Sequence, residues 1–594
     1  MTRPAGTYNS WNLPESQIEP STAAYSSPAQ GTFTAAYDAS GRLATVTQPG
    51  GVTLADTYNS AGELTGQSGS GADAATATRS FGYDLAGGMT SASTPAAGPA
   101  PATSESFSYN DRGLPLSASG SGGSSSFTYN GDGAPVSVTD AAGTTSYTYD
   151  NAGRLATLAD PLTGTTAAYS YSPMSQVSQI SYGSGNDVRA FGYNNLHQLT
   201  SDTLTTAGGA TAASISYGYD LNGNLTSKTT TGFAGPAANT YTYDEANRLT
   251  SWNNGSTATD YSYDGAGNLT QAGSQTLTYD ARDELTSSQP GSGGATTFSY
   301  TARGTMSSAA GPDGTQSFAS DAYGQGVTQA GQQYTYDALG RVLTGSGNGE
   351  SFGFGYAGTG SQITADGTWD YSYDPGGGLA AAGPSGGPAG QGVIAYTDAH
   401  TDVTGDFSPS AASLTGSAAY DPFGNVLASS GLAGNLGYQS GFTDPASKLV
   451  HMGARWYSPA DGQFTSRDTV TVSPVPDEAA ASPFAYAGDN PLTGTDPTGH
   501  FLAVPGGGGT ARAPVRHYYS PPPPPPARSC GGWSSWLSPG CLARHVGSMY
   551  NHAVNGYHRA VHLVTHVTRV IYGGAYRALQ GLRSLRARAV HFAG

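Results

Sequence analysis

Along most of this chain, aromatic and polar positions alternate in one recurring phrase. Tyrosine, a small polar residue, tyrosine and aspartate lead into a short polar run and then a second alternating stretch: YTYDNAGRL at 147–155, YTYDEANRL at 241–249, YSYDGAGNL at 261–269 and YTYDALGRV at 334–342. Looser copies fill the intervals. The anchoring residue falls at Asp38, Asn59, Asp84, Asn110, Asn130, Asp150, Asn194, Asp220, Asp244, Asp264, Asp280, Asp337, Asp374 and Asp421, so most steps are 20 to 26 residues. Degenerate copies at 169–171, 298–300 and 318–321 keep only part of the phrase. A self-similar unit of this size announces a repeat architecture.

Each unit reads as a β-hairpin. In Tyr147-Thr148-Tyr149-Asp150 the rings sit two residues apart, so an extended strand puts both on one face and the threonine on the other. Asp150-Asn151-Ala152-Gly153 then has turn order: a side-chain acceptor first and glycine last. Arg154-Leu155-Ala156-Thr157-Leu158 alternates again as the return strand. A lone hairpin is marginal in water, so neighbours are expected to join edge to edge in one continuous sheet. A disordered Gly/Ser/Thr linker does not show this regular aromatic alternation.

Composition sharpens that picture. Among 594 residues there are 86 glycines and 37% hydrophobic residues, too few apolar side chains for several conventional cores. No sustained 3.6-residue periodicity appears before residue 500, and no apolar run reaches membrane-spanning length. The opening residues lack the apolar core of a signal peptide, which leaves export by another route or an exporting portion outside this chain. All 41 acids precede residue 500, whereas the remainder holds ten arginines and no acid. The two parts carry about −27 and +10, which make the net −17 and point to different tasks. A basic tail either rests on the acidic sheet or stands solvated.

Ordered segments follow the repeats: YDPFGNVL at 420–427, GARWYSPADGQFTSRD at 453–468 and PFAYAGDNPLTGTDPTGH at 483–500. Together with the repeats, these resemble the Rhs/YD-repeat family and its Rhs-associated core, which includes bacterial polymorphic toxins, the Tc toxin C component and the teneurin YD shell. The resemblance implies an all-β fold in which YD hairpins wind as a continuous spiral sheet, a hollow shell or part of one. It divides the chain into repeats at 1–419, a core at 420–500, a Gly/Pro-rich linker at 501–529 and a basic tail at 530–594. It also implies a variable C-terminal segment held as cargo, an immunity protein as partner, and a secreted or cell-surface location.

Many family members cut their own chain at the end of the core with a pair of aspartates. By resemblance these are Asp468 in SRD and Asp496 in DPTG, with Arg467 beside the first and the cut at His500–Phe501. Two neighbouring carboxylates can divide the work, one activating water and the other polarising the scissile carbonyl. Asp468-Thr469-Val470-Thr471 departs from the family's Asp-Pro-x-Gly, and His500 replaces its leucine. The alternative is that both aspartates only cap turns, as Asp does before Gly elsewhere in the chain.

Beyond Gly499 the signals change. Gly506 to Gly509 and Pro521 to Pro526 make a tether, and the hydrophobic positions from Val546 to Ile571 predict a short α-helical tail. His558, His562 and His566 share one helical face but lack carboxylate or cysteine ligands nearby, so a polar flank is the simpler reading. Interleaved Arg and Tyr from Tyr557 to Arg588 suit nucleic acid or an anionic membrane surface, and equally a solvated basic face. Cys530 and Cys541 could close a small loop. The tail also reads as a connector whose toxin is lost or truncated. No phosphate-binding loop, HExxH, nucleophile elbow or EF-hand is present, so no metal or cofactor is expected, and any enzymatic activity would be at most a single-turnover self-cleavage. The contrasting function is a non-enzymatic adhesion protein that binds carbohydrate on exposed tyrosines.

Overall fold

The computed structural model describes residues 5–11, 13–183, 187–409, 413–469 and 482–500. The linker, the tail predicted to be helical with its His and Cys residues, and Phe501 lie outside the described residues. Within them the fold is a succession of antiparallel hairpins. Twenty-nine strands, from Ala5–Tyr8 to Gly314–Ser317, form one sheet. Each strand followed through it pairs with the next in sequence, as Gly143–Tyr149 does with Leu155–Ala159 and that strand with Thr166–Tyr171. Sheets of five, eight and four strands follow in the same meander.

The hairpin at Asp150 shows why the phrase recurs. Asp150 Oδ1 accepts from the amides of Ala152 and Arg154 at 2.9 and 3.0 Å, and Gly153 takes φ of 75°, the left-handed conformation that costs glycine least. Arg154 Nε donates to the other oxygen of Asp150 at 2.8 Å, so the carboxylate both builds the turn and holds the first side chain after it. Register then slips by one residue: Tyr149 faces Leu155 but Thr148 faces Thr157, leaving Ala156 as a β-bulge. Leu155 and Ala156 lie outside the pairing with Thr166–Tyr171, and the Tyr171 hydroxyl fills the gap by donating to the Leu155 carbonyl at 2.7 Å. The same bond, from the second tyrosine of one repeat to the start of the preceding return strand, recurs from Tyr193 to Val177, Tyr243 to Leu225 and Tyr263 to Leu249.

Burial separates the two faces. The first tyrosines (Tyr147, Tyr241, Tyr261 and Tyr334) are buried, while Thr148, Thr242 and Ser262 between the pairs are exposed. On the exposed face threonines and serines pair across strands, as Thr148 does with Thr157 at 2.6 Å. The buried faces of early and late strands meet. Tyr147 donates to the Tyr373 carbonyl at 2.8 Å, Arg189 pairs with Asp202 and reaches the Thr397 carbonyl, Lys228 pairs with Asp398, and Tyr25 donates to the Tyr300 carbonyl at 2.6 Å. The strand Gly416–Tyr420 pairs with Val426–Ser430 inside the eight-stranded sheet, so YDPFGNVL forms one more repeat hairpin. A four-stranded sheet from Phe442–Thr443 to Gln463–Phe464 comes next. Its core is aromatic: Tyr438, Tyr457, Phe464 and Tyr486 pack together, with Tyr457 and Tyr486 ring centroids 4.5 Å apart.

Candidate functional site

The segment after the four-stranded sheet brings three distant stretches together. Arg455 opens the strand Arg455–Ser458, just past a turn in which Gly453 takes φ of 59°. Its guanidinium is buried against Phe464, 3.6 Å from the ring centroid. Asp468 follows the last strand and is held by its own amide on the Pro483 carbonyl at 2.9 Å. Asp496 begins the Asp-Pro-Thr-Gly turn, where its Oδ1 accepts from the His500 amide at 3.0 Å. The Thr498 carbonyl accepts from Ala454 at 3.0 Å, which stitches this turn to the approach to Arg455. Glycine is required at its end: Gly499 has φ of 70°, and a Cβ there would lie 2.4 Å from the Met452 oxygen.

Both carboxylates converge on one nitrogen. Arg455 Nη2 lies 3.2 Å from Asp468 Oδ2 and 3.3 Å from Asp496 Oδ2. Nη1 donates to the Pro483 carbonyl at 2.9 Å, and Nε donates to the carbonyl of Gly499. On the other side of Asp468, Oδ1 is 2.8 Å from Nδ1 of His500. Asp468, Asp496 and Arg455 are all buried, so these charge-assisted bonds act where water screens little. The result is a pair of carboxylates aligned by a shared cation, with the backbone immediately before residue 501 fixed between them. Chemically, such a pair can take a proton from water and return one to a leaving amine.

The structure brings Asp468, Asp496 and His500 together and places Arg467 elsewhere. Arg467 Nη1 is 2.8 Å from Glu19 Oε1, its guanidinium lies over Phe33, and its amide donates to the Gly304 carbonyl. The cation between the aspartates is Arg455, which the sequence reading did not single out. Its signal was an arginine heading Trp456 and Tyr457 in a strand whose four residues are all buried, a position that demands an anionic partner. Turn capping and pairing also coexist at Asp496, because one oxygen serves the turn while the other faces Arg455. Among the described residues no group of three or more His, Cys, Asp or Glu is placed to hold a metal ion.

Comparison with known proteins fits this architecture. Residues 188–487 match the Teneurin YD-shell family, and residues 129–165 match the RHS repeat. Among curated proteins none is similar enough in sequence to register as a relative. Among solved structures, the complex TcdB2-TccC3-TEV superposes with a TM-score of 0.54 at 16% identity, covering 84% of this chain and 28% of that one. TcdB2-TccC3 without its hypervariable C-terminal region gives 0.53 at 15% identity over 84% and 30%. A Photorhabdus luminescens Tc holotoxin pore with a mutated TccC3 gives 0.52 at 15% identity over 84% and 29%. At that identity the likeness is one of fold, and the chain spans less than a third of the length of those solved chains. With its hairpin phrase, its bulge-and-tyrosine register and half its length matched, the chain belongs to the Teneurin YD-shell family.

Proposed function

We propose that this chain is an Rhs-type shell protein that encloses or presents its own C-terminal segment and cuts itself once, just after the Asp-Pro-Thr-Gly turn. The observation that carries the reading is the convergence of Asp468 and Asp496 on Arg455, with the Gly499 carbonyl bound by Arg455, the His500 amide by Asp496 and the His500 ring by Asp468. Water adds to the His500 carbonyl carbon, the His500–Phe501 bond breaks, and the new amine takes the proton that a carboxylate relays. Turnover is single, because the product stays part of the site. Fixing the residue before the cut removes the orientational freedom that otherwise slows peptide hydrolysis.

In the repeats the first tyrosines are buried and hydroxyl pairs line the exposed face, with Tyr8 and Trp11 at the first hairpin the exposed large aromatics among the described residues, which favours an enclosing wall over a carbohydrate-stacking surface. On this reading the protein acts outside the cell or at its surface, its cargo is the basic segment after residue 500, and an immunity protein is its natural counterpart. The test is expression of the whole chain and of Asp496→Asn, followed by intact-mass spectrometry. A fragment beginning at Phe501 in the first and its absence in the second is the expected result. A wild-type chain that stays whole removes self-cleavage.

A further inference from the structure

One hairpin breaks the repeat's own rule. Strands Val393–Thr397 and Val403–Phe407 are joined by Asp398-Ala399-His400-Thr401-Asp402. The turn itself is ordinary: Asp398 Oδ1 accepts from the amides of His400 and Asp402 at 2.9 and 3.0 Å, and Thr401 stands at φ of 67° where glycine is usual. At the position where Arg154 or Arg248 grips its repeat aspartate, however, there is a second acid, Asp402. Asp398 turns instead to Lys228, a residue of the strand Leu225–Thr231. Asp402 Oδ1 accepts from the Gln439 amide at 2.9 Å and lies 3.0 Å from His400 Nδ1.

The far side of the imidazole reaches the candidate site. His400 Nε2 is 3.0 Å from the carbonyl oxygen of Gly494, two residues before Asp496. The Gln439 side-chain amide also lies 3.1 Å from Nε2, and turning that amide end for end puts its otherwise unpartnered oxygen there; both neighbours then accept, so Nε2 carries a hydrogen. With a carboxylate at Nδ1, the His400–Asp402 pair therefore holds one proton more than a neutral ring beside an ionised acid. Charge balance requires the same proton: Asp398 and Asp402 face Lys228 and His400 in a buried cluster that is neutral only with His400 or Asp402 protonated. The other titratable groups facing it are Tyr217, whose oxygen accepts from the Ala399 amide, and Tyr219, Tyr241, Tyr420, Tyr438 and Tyr486, all phenols that burial keeps neutral. Desolvation pulls His400 down, but the Asp402 and Asp398 carboxylates outweigh it and hold the imidazole above its ordinary range.

We propose that His400 is a positioning residue for the carboxylate pair: its Nε2–H holds the Gly494 carbonyl, so the seating of Asp496 on Arg455 depends on one buried proton. Above the pair's titration, one ring hydrogen must serve both Asp402 and Gly494, and one of the two bonds is lost. The folded state binds this proton more tightly than the unfolded chain does, so the contact is complete below the ordinary imidazole range and weakens as pH rises through the raised titration. The effect on cleavage rests on the self-cleavage reading; the contact itself does not.

The test follows amide hydrogen exchange by mass spectrometry on the full chain, comparing a peptide covering 488–499 with one covering 450–458. Rates are corrected for intrinsic exchange between about pH 6 and about pH 10. In wild type, protection of 488–499 should drop by about tenfold or more relative to the reference as pH rises. His400→Gln, whose amide donates but does not titrate, should show no step. Asp402→Asn, which keeps the shape without the charge, should move the step to lower pH. A flat wild-type profile, or a His400→Gln profile with the same step, overturns the inference. Cleavage is read in parallel after cell-free synthesis at the same pH values. A step in exchange without any cleavage defeats self-cleavage and leaves the His400 contact standing, whereas cleavage with a flat exchange profile does the reverse.

Discussion

The hydroxyl of Tyr356 donates to the carbonyl of Val342 at 2.6 Å across the boundary between two sheets. Val342 starts a strand of the five-stranded sheet and Tyr356 ends the first strand of the eight-stranded one, so the bond that links repeats within a sheet also carries the repeat over a break. Because Tyr356 is buried, Tyr356→Phe leaves that carbonyl without its donor and should cost about 1–3 kcal/mol. Tyr149→Phe, where the bond to Pro135 is half-exposed and water can substitute, should cost about 0.5–1 kcal/mol. Urea denaturation midpoints of the two variants check the order, and equal shifts would show that the bond does not carry repeat-to-repeat stability.

The hairpins were legible because three local signals agree at each one: alternating rings, an aspartate that folds its oxygen onto the next amides, and a glycine at positive φ, as at Asp150 and Gly153. The bulge at Ala156 was not legible, since simple alternation counts no extra residue and the hydroxyl that meets the Leu155 carbonyl beside it comes from the following repeat. At the candidate site, sequence adjacency misled. Arg467 neighbours Asp468 in the chain but its side chain meets Glu19, while Arg455 arrives from another strand. The hairpin at Asp398 was also missed, although the anchors leap from Asp374 to Asp421, about twice the usual step, and an unseen copy was the economical explanation.

Arg455 should matter far more than Arg467. Arg455→Met leaves Asp468 and Asp496 buried without their shared cation, a change expected to cost about 3–5 kcal/mol and to abolish the fragment that starts after His500. Arg467→Met removes a partly exposed contact with Glu19, expected to cost about 0–1 kcal/mol with cleavage intact. Denaturation curves and intact-mass spectra read both effects. Equal loss of cleavage in the two variants would mean that Arg467 acts on the site by a route this geometry does not provide.

Gly499 and Gly153 share a left-handed backbone but not a neighbourhood. Both have φ near 70–75°, yet a Cβ on Gly153 meets nothing within 4 Å, whereas on Gly499 it meets the Met452 oxygen at 2.4 Å and the Arg455 nitrogen at 2.9 Å. Gly153→Ala should therefore cost only the backbone strain, about 1 kcal/mol. Gly499→Ala must also push the Asp-Pro-Thr-Gly turn off Arg455, so it should lower stability by more than about 2 kcal/mol and slow any cleavage at His500. Similar losses in the two variants would show that the turn moves freely and is not clamped by Arg455.

Glu284 makes the repeat sheet itself sensitive to pH. It occupies the position that Arg154 fills in its own hairpin, its amide donates to Asp280, and its carboxyl is pushed up to about 8, first by burial and then by the Asp280 charge. An unfolded glutamate titrates near about 4.3, so between that value and the raised one the folded chain holds a proton that the unfolded chain has released. Stability from this group is thus full at acid pH and declines as pH rises through neutrality. Glu284→Gln keeps the shape without the charge, and should be the more stable protein above about pH 8 by on the order of 1–3 kcal/mol while matching wild type at about pH 4. Urea midpoints collected across that range test the sign. Parallel curves for the two proteins would mean that Glu284 ionises as readily folded as unfolded, and that Arg282 beside it compensates the charge fully.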